Sequence, residues 1–506
     1  VFHRQRLQGH QSGTRSHDLR PKRLEWRRRR RRSLLCLRVR VRRMCLRMRR
    51  GRPVSLGLNR RTKAPARPEP GLHAYAHEPS PGERVRLHLR VEADGSGTLV
   101  VNANRIVHLN PTATAMAWLI LEETPEAEAV ARLASAYRVP RRRLQDDWRQ
   151  VRAQIAELAD PNGACPVHDL NLEIMQPFSH VPSAPYRMDL ALTYRCNDNC
   201  AHCYNARPRD YPELDTATWK RIIDRIRDVG VPHLCFTGGE ATLRNDLPAL
   251  VAHAQSLGMV TGLLTNGRRL CDLAYVQELT EAGLDHVQIT LESHDEAIHD
   301  RMVGAPGAWK QTVAGLRNCL QSRLYVMTNT TLLAENSRHI EATLDFLAEL
   351  GVPTVGLNAL IYAGRGQTVG TGLHETELVP LMSLARRKTE QAGQRLIWYT
   401  PTQYCHFDPT QMELGVKGCT AALYNMCVEP DGAVIPCQSY YQSLGSILHD
   451  PWSSIWEHDL ARSLRERRFV PDACRDCIIL PECGGGCPLS LGHQSPRRVV
   501  SEISVA

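Results

Sequence analysis

The stretch Tyr186-Arg-Met-Asp-Leu-Ala-Leu-Thr193-Tyr-Arg-Cys196-Asn-Asp-Asn-Cys200-Ala-His-Cys203-Tyr204 joins a run of strand-forming residues to a loop with three cysteines. The first half reads as a strand buried on both faces, because its apolar residues are near-continuous rather than alternating. A [4Fe–4S] cluster normally takes four thiolates. A loop that offers three leaves one iron open, the same difference that separates catalytic from closed structural metal sites. At this cysteine content such a spacing arises by chance about 0.02 times per chain. The competing readings are stray thiols and a zinc knuckle, for which His202 is the only further ligand in the loop.

Working outward, strands are expected over 186–194, 233–237, 260–265, 286–291, 324–331 and 354–360. Helical patterns fall between several of them, over 216–229, 247–257, 271–282 and 337–350, with another at 375–391. Six such units predict an α/β fold, a partial (β/α)6 barrel of TIM type over 186–395, with its site at the C-terminal strand ends. Upstream, strands over 87–91, 97–101 and 105–109 precede helices over 111–122, 125–137 and 141–158. Asn110 is the cap and Pro111 the first helical residue of the first helix. This predicts a winged-helix-like α+β module at 84–160, joined to the barrel by a Pro- and polar-rich linker at 161–185. Residues 396–490 form a Cys-rich domain and 491–506 a tail.

Residues 1–70 hold 24 Lys/Arg against 3 Asp/Glu, and the remainder 40 against 50, so the net charge of +11 is confined to an arm centred on Arg27–Arg32. Clustered arginines suit phosphates. A disordered extension over 1–80, or translated sequence upstream of the true start, is the plainer reading, since no methionine precedes Met44. No apolar run approaches the ~18 to 20 residues that span a bilayer, and no secretory pattern opens the chain, which points to the cytoplasm. Without such a signal, seventeen cysteines imply metal or redox chemistry rather than disulfides. Cys235, Cys271 and Cys319 lie in apolar patterns and read as small buried hydrophobes.

The loop Cys196-x3-Cys200-x-His202-Cys203 resembles the signature of the radical S-adenosylmethionine superfamily, C-x3-C-x-aromatic-C, over about residues 186–487. The resemblance implies that the open iron chelates S-adenosylmethionine and that an electron from the cluster cleaves it. His202 takes the aromatic position, which in the family lies against the adenine. Gly238-Gly239-Glu240 resembles the family's glycine-rich turn, whose backbone and Glu hold the methionyl amino group. Thr290, in Gln288-Ile-Thr290-Leu-Glu292-Ser293, matches a ribose contact, and Asn329 a further one; ordinary strand polarity is the bland alternative for both. The run Cys419-x12-Gly432-x4-Cys437, followed by Cys474-x2-Cys477-x5-Cys483-x3-Cys487, resembles the SPASM extension with one or two auxiliary Fe–S clusters. Four cysteines so spaced arise by chance about 0.0007 times, although zinc also suits Cys-x2-Cys pairs. The resemblance implies Cys419, Cys427, Cys437 and Cys487 for one cluster, with Cys405 as a substitute. Cys474, Cys477 and Cys483 would serve the other, which lacks the pattern's last cysteine. An open iron, a truncated terminus or His493 are the alternatives there.

The segment Gly97-Thr-Leu-Val-Val-Asn102-Ala-Asn104-Arg-Ile-Val-His-Leu109-Asn110-Pro-Thr-Ala resembles PqqD-like peptide-recognition elements, in which a leader peptide adds a strand to the sheet edge. The combination implies a maturase of ribosomally synthesised peptides that abstracts hydrogen, supplied with electrons by a ferredoxin or flavodoxin; neither membrane nor nucleic acid is expected as a partner. Enzymes that modify tetrapyrrole or quinone cofactors are the alternative, followed by a zinc-stabilised nucleic-acid-binding regulator. Sulfatase-maturing enzymes place an aspartate where this chain has Gln438. The substrate and the catalytic proton acceptor are not legible.

Overall fold

The computed structural model describes residues 36–38, 67–80, 83–160, 173–174, 178 and 180–494. Most of the arm and linker, and the tail past 494, lie outside the described residues.

The first unit is an antiparallel sheet of β1 (Gly71–Ser80), β2 (Glu83–Val91), β3 (Gly97–Val101) and β4 (Arg105–Leu109). It is covered by α1 (Pro111–Leu121), α2 (Glu126–Ala136) and α3 (Arg141–Ala159). Gly95, at φ +82°, closes the β2–β3 turn by donating its N–H to the Glu92 carbonyl at 2.9 Å. The Asn110 side chain accepts from the Ala113 N–H at 2.9 Å and starts α1, as its sequence position predicts. Leu89, Leu99, Leu119, Leu133, Leu144 and Trp148 fill the space between sheet and helices. The arm expected over 1–80 is corrected at its end. Residues 71–80 pair with β2 in register from Gly71 opposite Val91 to His77 opposite Val85. The outer edge of β4 also takes a strand: Cys36–Arg38 lies parallel to it, and Glu173–Ile174 pairs antiparallel with that segment.

The second unit alternates strand and helix. In order come β5 (Arg187–Thr193), α4 (Thr216–Asp228), β6 (His233–Gly238), α5 (Leu247–Ser256), β7 (Val260–Thr265), α6 (Leu273–Ala282) and β8 (His286–Thr290). Then follow α7 (Glu296–Val303), α8 (Ala308–Leu320), β9 (Tyr325–Thr331), α9 (Ile340–Glu349), β10 (Thr354–Asn358), α10 (Glu375–Gln391) and β11 (Arg395–Trp398). The strands β5 to β11 are parallel and adjacent in chain order. On the other side β12 (Asn425–Val428) runs parallel to β5 and leads into the antiparallel β13 (Ala433–Ile435) and β14 (Gly445–Ser446). The sheet is therefore an open barrel of the expected six strands, extended at both ends. Leu190, Leu192, Leu234, Phe236, Leu263, Val287 and Ile289 are fully buried, which follows from helices covering a parallel sheet. Among the described residues no helix is long and apolar enough to cross a membrane.

The first unit docks on the N-terminal ends of the barrel strands. Arg86 forms an ion pair with Asp285 at 3.1 Å, just before β8, and His88 Nε2 lies 2.8 Å from the Gly258 carbonyl, just before β7. Arg90 donates to the Ala184 carbonyl at 2.9 Å, ahead of β5. Burial holds the His88 imidazole and that of His286, at the start of β8, down at about 4. An unfolded histidine titrates near 6.5, so the unfolded chain takes up protons first as acid is added. Their contribution is complete above about pH 6.5 and is lost as the pH falls toward 4. The melting temperature is expected to drop across that window, and to drop less in a His88→Gln variant.

Candidate functional site

The loop after β5 sits at the C-terminal rim, opposite the docked unit, and its shape is imposed from several sides. Gly238 (φ +136°) and Gly239 press on it so closely that a methyl group would stand 2.1 Å from the Thr193 carbonyl oxygen and 2.4 Å from that of Arg195. Gly239 N–H donates to Thr193 at 2.8 Å and Glu240 N–H to Arg195 at 2.9 Å. The amides of Asn199 and Ala201 donate to the carbonyls of Val303 and Met302 at 2.7 and 3.2 Å, at the end of α7. Three arginines complete the frame. Arg209 binds the carbonyls of Cys196 and Asp198, Arg268 the Asn197 carbonyl (2.6 Å) and the Asp198 carboxylate (2.7 Å), and Arg365 the Asn199 side chain (2.6 Å). The Arg365 N–H donates to the Cys203 carbonyl at 2.9 Å. Sequence reasoning missed all three, and no pattern in the chain distinguishes them from its other arginines.

Cys196, Cys200 and Cys203 are free thiols, each partly buried. Burial pushes Cys196 up to about 12 and Cys200 well above the ordinary thiol range, so a bound cation is what would deprotonate them. Among the described residues, the only three His, Cys, Asp or Glu ligand atoms lying within 4.8 Å of one another belong to His233, Cys235 and His286. Thiolates on one zinc stand only ~3.8 Å apart, given Zn–S bonds of about 2.3 Å in a tetrahedron. The three sulfurs of the cysteine loop are not gathered that closely. The His233–Cys235–His286 group lies at the opposite, closed end of the barrel. Its imidazoles contact each other at 2.9 Å, and burial holds both neutral.

Around the loop, Thr290 and Asn329 are register partners on β8 and β9, and the buried Asn329 Oδ1 has no hydrogen-bond partner within the protein. Such an orphaned atom suits a ligand hydroxyl. His202 Nε2 lies 3.0 Å from the buried Glu292 carboxylate. Burial works against its charged form, but Glu292 outweighs this and raises its pKa. Glu240 is occupied otherwise than the sequence suggested. Its carboxylate accepts from Thr242, Thr265 and the Asn266 N–H, pinning the ends of β6 and β7 together. Gln438 bridges Tyr204 (2.7 Å) and the buried Asp189 (2.8 Å).

The C-terminal cysteines fall into groups. Cys419, Cys437 and Cys487 are partly buried and within electrostatic reach of one another. Cys427 is within electrostatic reach of Cys437 as well. It lies on β12 among Ala191, Tyr194 and Ile435, with its Sγ 3.7 Å from the Val428 carbonyl. The ring of His493 stacks on Tyr362, with centroids 4.1 Å apart. Cys474, Cys477 and Cys483 are within electrostatic reach of Cys405.

Three thiols on one loop at the rim where a barrel of this kind keeps its chemistry, with further cysteines grouped in the C-terminal domain, suit an iron–sulfur enzyme. The radical SAM superfamily profile matches residues 190–347, and that of an iron–sulfur cluster-binding domain, SPASM, matches residues 419–478. Fe-coproporphyrin III synthase of Methanosarcina barkeri (strain Fusaro / DSM 804) is 31% identical over 325 residues, spanning 58% of this chain and 81% of that protein. The fold is similar to that of Streptococcus suis SuiB bound to precursor peptide SuiA, with TM-score 0.60, 16% identity, and 83% and 97% of the two chains covered. It is similar also to SuiB bound to S-adenosylmethionine, with TM-score 0.59, 17% identity, and 80% and 95% covered. The chain belongs to the radical SAM superfamily and carries a SPASM extension. It uses a [4Fe–4S] cluster and S-adenosylmethionine, together with auxiliary Fe–S clusters.

Proposed function

We propose that this enzyme modifies a ribosomally synthesised precursor peptide, holding the leader on the PqqD-like unit at 84–160 and reacting the peptide at the barrel rim. The observation that carries this reading is the edge of β4, which already takes an added strand in Cys36–Arg38. The likeness to SuiB, a protein crystallised with a precursor peptide, supports it. In this reading Cys196, Cys200 and Cys203 hold the cluster, and Cys419, Cys427, Cys437 and Cys487 an auxiliary one. Bound there, the cluster and S-adenosylmethionine supply a 5′-deoxyadenosyl radical that takes a hydrogen atom from the substrate. Gly238 and Gly239 receive the methionyl end by backbone, since the Glu240 carboxylate is engaged. Thr290 and Asn329 meet the ribose, and His202, oriented by Glu292, lies against the adenine. The barrel works within 186–395 and the SPASM domain within 396–490, in the cytoplasm, with a ferredoxin- or flavodoxin-type donor.

The peptide encoded by a short reading frame beside the gene tests this. Calorimetry is expected to show it binding the full chain, and binding a chain that starts at residue 67 more tightly, because no internal strand competes for β4. Its mass is expected to change on anaerobic turnover. No binding heat and an unchanged mass would remove the peptide reading. The 31% identity to Fe-coproporphyrin III synthase favours a second reading, tetrapyrrole modification. A co-purified porphyrin whose visible absorbance changes on turnover would select it.

A further inference from the structure

We propose that Cys405, Cys474, Cys477 and Cys483 form a complete four-thiolate site for a second auxiliary cluster, with Cys405 in place of the cysteine missing after Cys487. The inference rests on the radical SAM/SPASM reading of the chain and adds to it the ligand that the sequence pattern lacks. Cys405 stands fourteen residues before Cys419, outside the spacing that marks the extension. The fold carries it back to the later cysteines.

The contacts that do this are local and mutually consistent. The Tyr404 N–H donates to Cys483 Sγ at 3.3 Å, and the same sulfur lies 3.8 Å from the Thr402 carbonyl. A methyl group on Gly486 (φ +81°) would meet Gln403 Cγ at 3.1 Å and Gln403 N at 3.3 Å, so the two loops touch along their length. On the other side, Cys477 N–H donates to the Cys474 carbonyl at 3.1 Å and closes a turn that carries both thiols. Cys474 and Cys477 act electrostatically on Cys405, and Cys405 and Cys474 act on Cys483. No three of these sulfurs are among the described ligand atoms lying within 4.8 Å of one another, closer than which three thiolates on one zinc would stand. Arg467 neighbours both this group and the other set. Its guanidinium is within electrostatic reach of Cys483 and of Cys419, and donates to the Leu480 carbonyl at 2.6 Å.

Four thiolates saturate the cluster, so no iron is left open to bind substrate. Cys405 and Cys477 are exposed, which places this site at the protein surface.

The test uses the full chain, reconstituted anaerobically, with Cys196, Cys200 and Cys203 all changed to alanine so that only auxiliary clusters are counted. Adding Cys405→Ala to this parent is expected to remove about four iron and four sulfide per chain, or to leave a cluster that oxidises to a three-iron form visible by electron paramagnetic resonance. Adding Cys271→Ala, a cysteine that is exposed rather than buried as its apolar pattern predicts, is expected to change neither. In the otherwise unaltered chain, Cys405→Ala shows the same loss while circular dichroism matches the parent, which separates ligand loss from unfolding. Unchanged iron and spectra in Cys405→Ala, or zinc in place of iron in the parent, would overturn the proposal. Failure of the superfamily reading shows separately, as no cleavage of S-adenosylmethionine by the unaltered chain.

Discussion

Replacing Cys200 with alanine is expected to abolish release of 5′-deoxyadenosine from S-adenosylmethionine and to strip the iron from the cysteine loop. The loop has no spare donor, because His202 is held by Glu292 at 3.0 Å. Nor can the backbone rearrange to recruit one. The amides of Asn199 and Ala201, on either side of Cys200, are bonded to the end of α7, and three arginines hold the neighbouring carbonyls and side chains. Two thiolates in a fixed frame do not retain four irons. Cys235→Ala is the matched control. That thiol is also buried, but on β6 beside His233 at the closed end of the barrel, and its loss is expected to leave cleavage intact. The measurement is iron content and 5′-deoxyadenosine formed under dithionite. A Cys200→Ala chain that holds iron and cleaves as the parent does would end the assignment.

Gly238→Ala is expected to be almost as damaging, by a mechanical route. At φ +136° the residue lies where L side chains rarely go, which costs on the order of 1–3 kcal/mol. The added methyl would also stand 2.1 Å from the Thr193 carbonyl oxygen, a backbone atom, with no flexible side chain to yield. Overpacking of this kind costs about 1–3 kcal/mol more. Relief requires β5 to move away from β6, which carries the cysteine loop out of place. Both a lower melting temperature and lost affinity for S-adenosylmethionine are expected. Gly351→Ala separates the two causes: its φ is +79°, but nothing lies within 4 Å of its added methyl, so it tests backbone strain alone. If Gly238→Ala melts and binds as the parent does, the close approach has no functional weight.

The barrel strands were legible because each is a short apolar run bounded by turn residues, and the start of β5 and the whole of β7 fall within a residue of expectation. What escaped notice has physical reasons. Neither α7 nor α8 was expected, and α7 is a single short segment ended by Gly304 in the left-handed region, too brief for a periodic pattern to stand out. The strand β11, Arg-Leu-Ile-Trp, lies at the sheet edge, where alternation is weak. The strand β1 alternates small and polar residues directly after an Arg-rich segment, and composition obscured it. At the site, the cysteine loop and its glycine partners were visible, because the chemistry demands those residue types at those spacings. The Glu292 partner of His202 and the arginine frame were not, since each contact joins residues far apart in the chain. The position of Cys405 was hidden for the same reason.

The unit that would hold a peptide docks on the strand starts, whereas the cysteine loop lies past the strand ends. A strand of seven residues such as β5 spans about 20 Å, and an extended peptide needs at least about six residues to cover that distance. A substrate anchored below and altered above must therefore reach along the barrel wall. Reach then becomes a measuring device: it selects the residue altered by its count from the anchor, so that shortening the spacer should silence the reaction while leaving adhesion untouched.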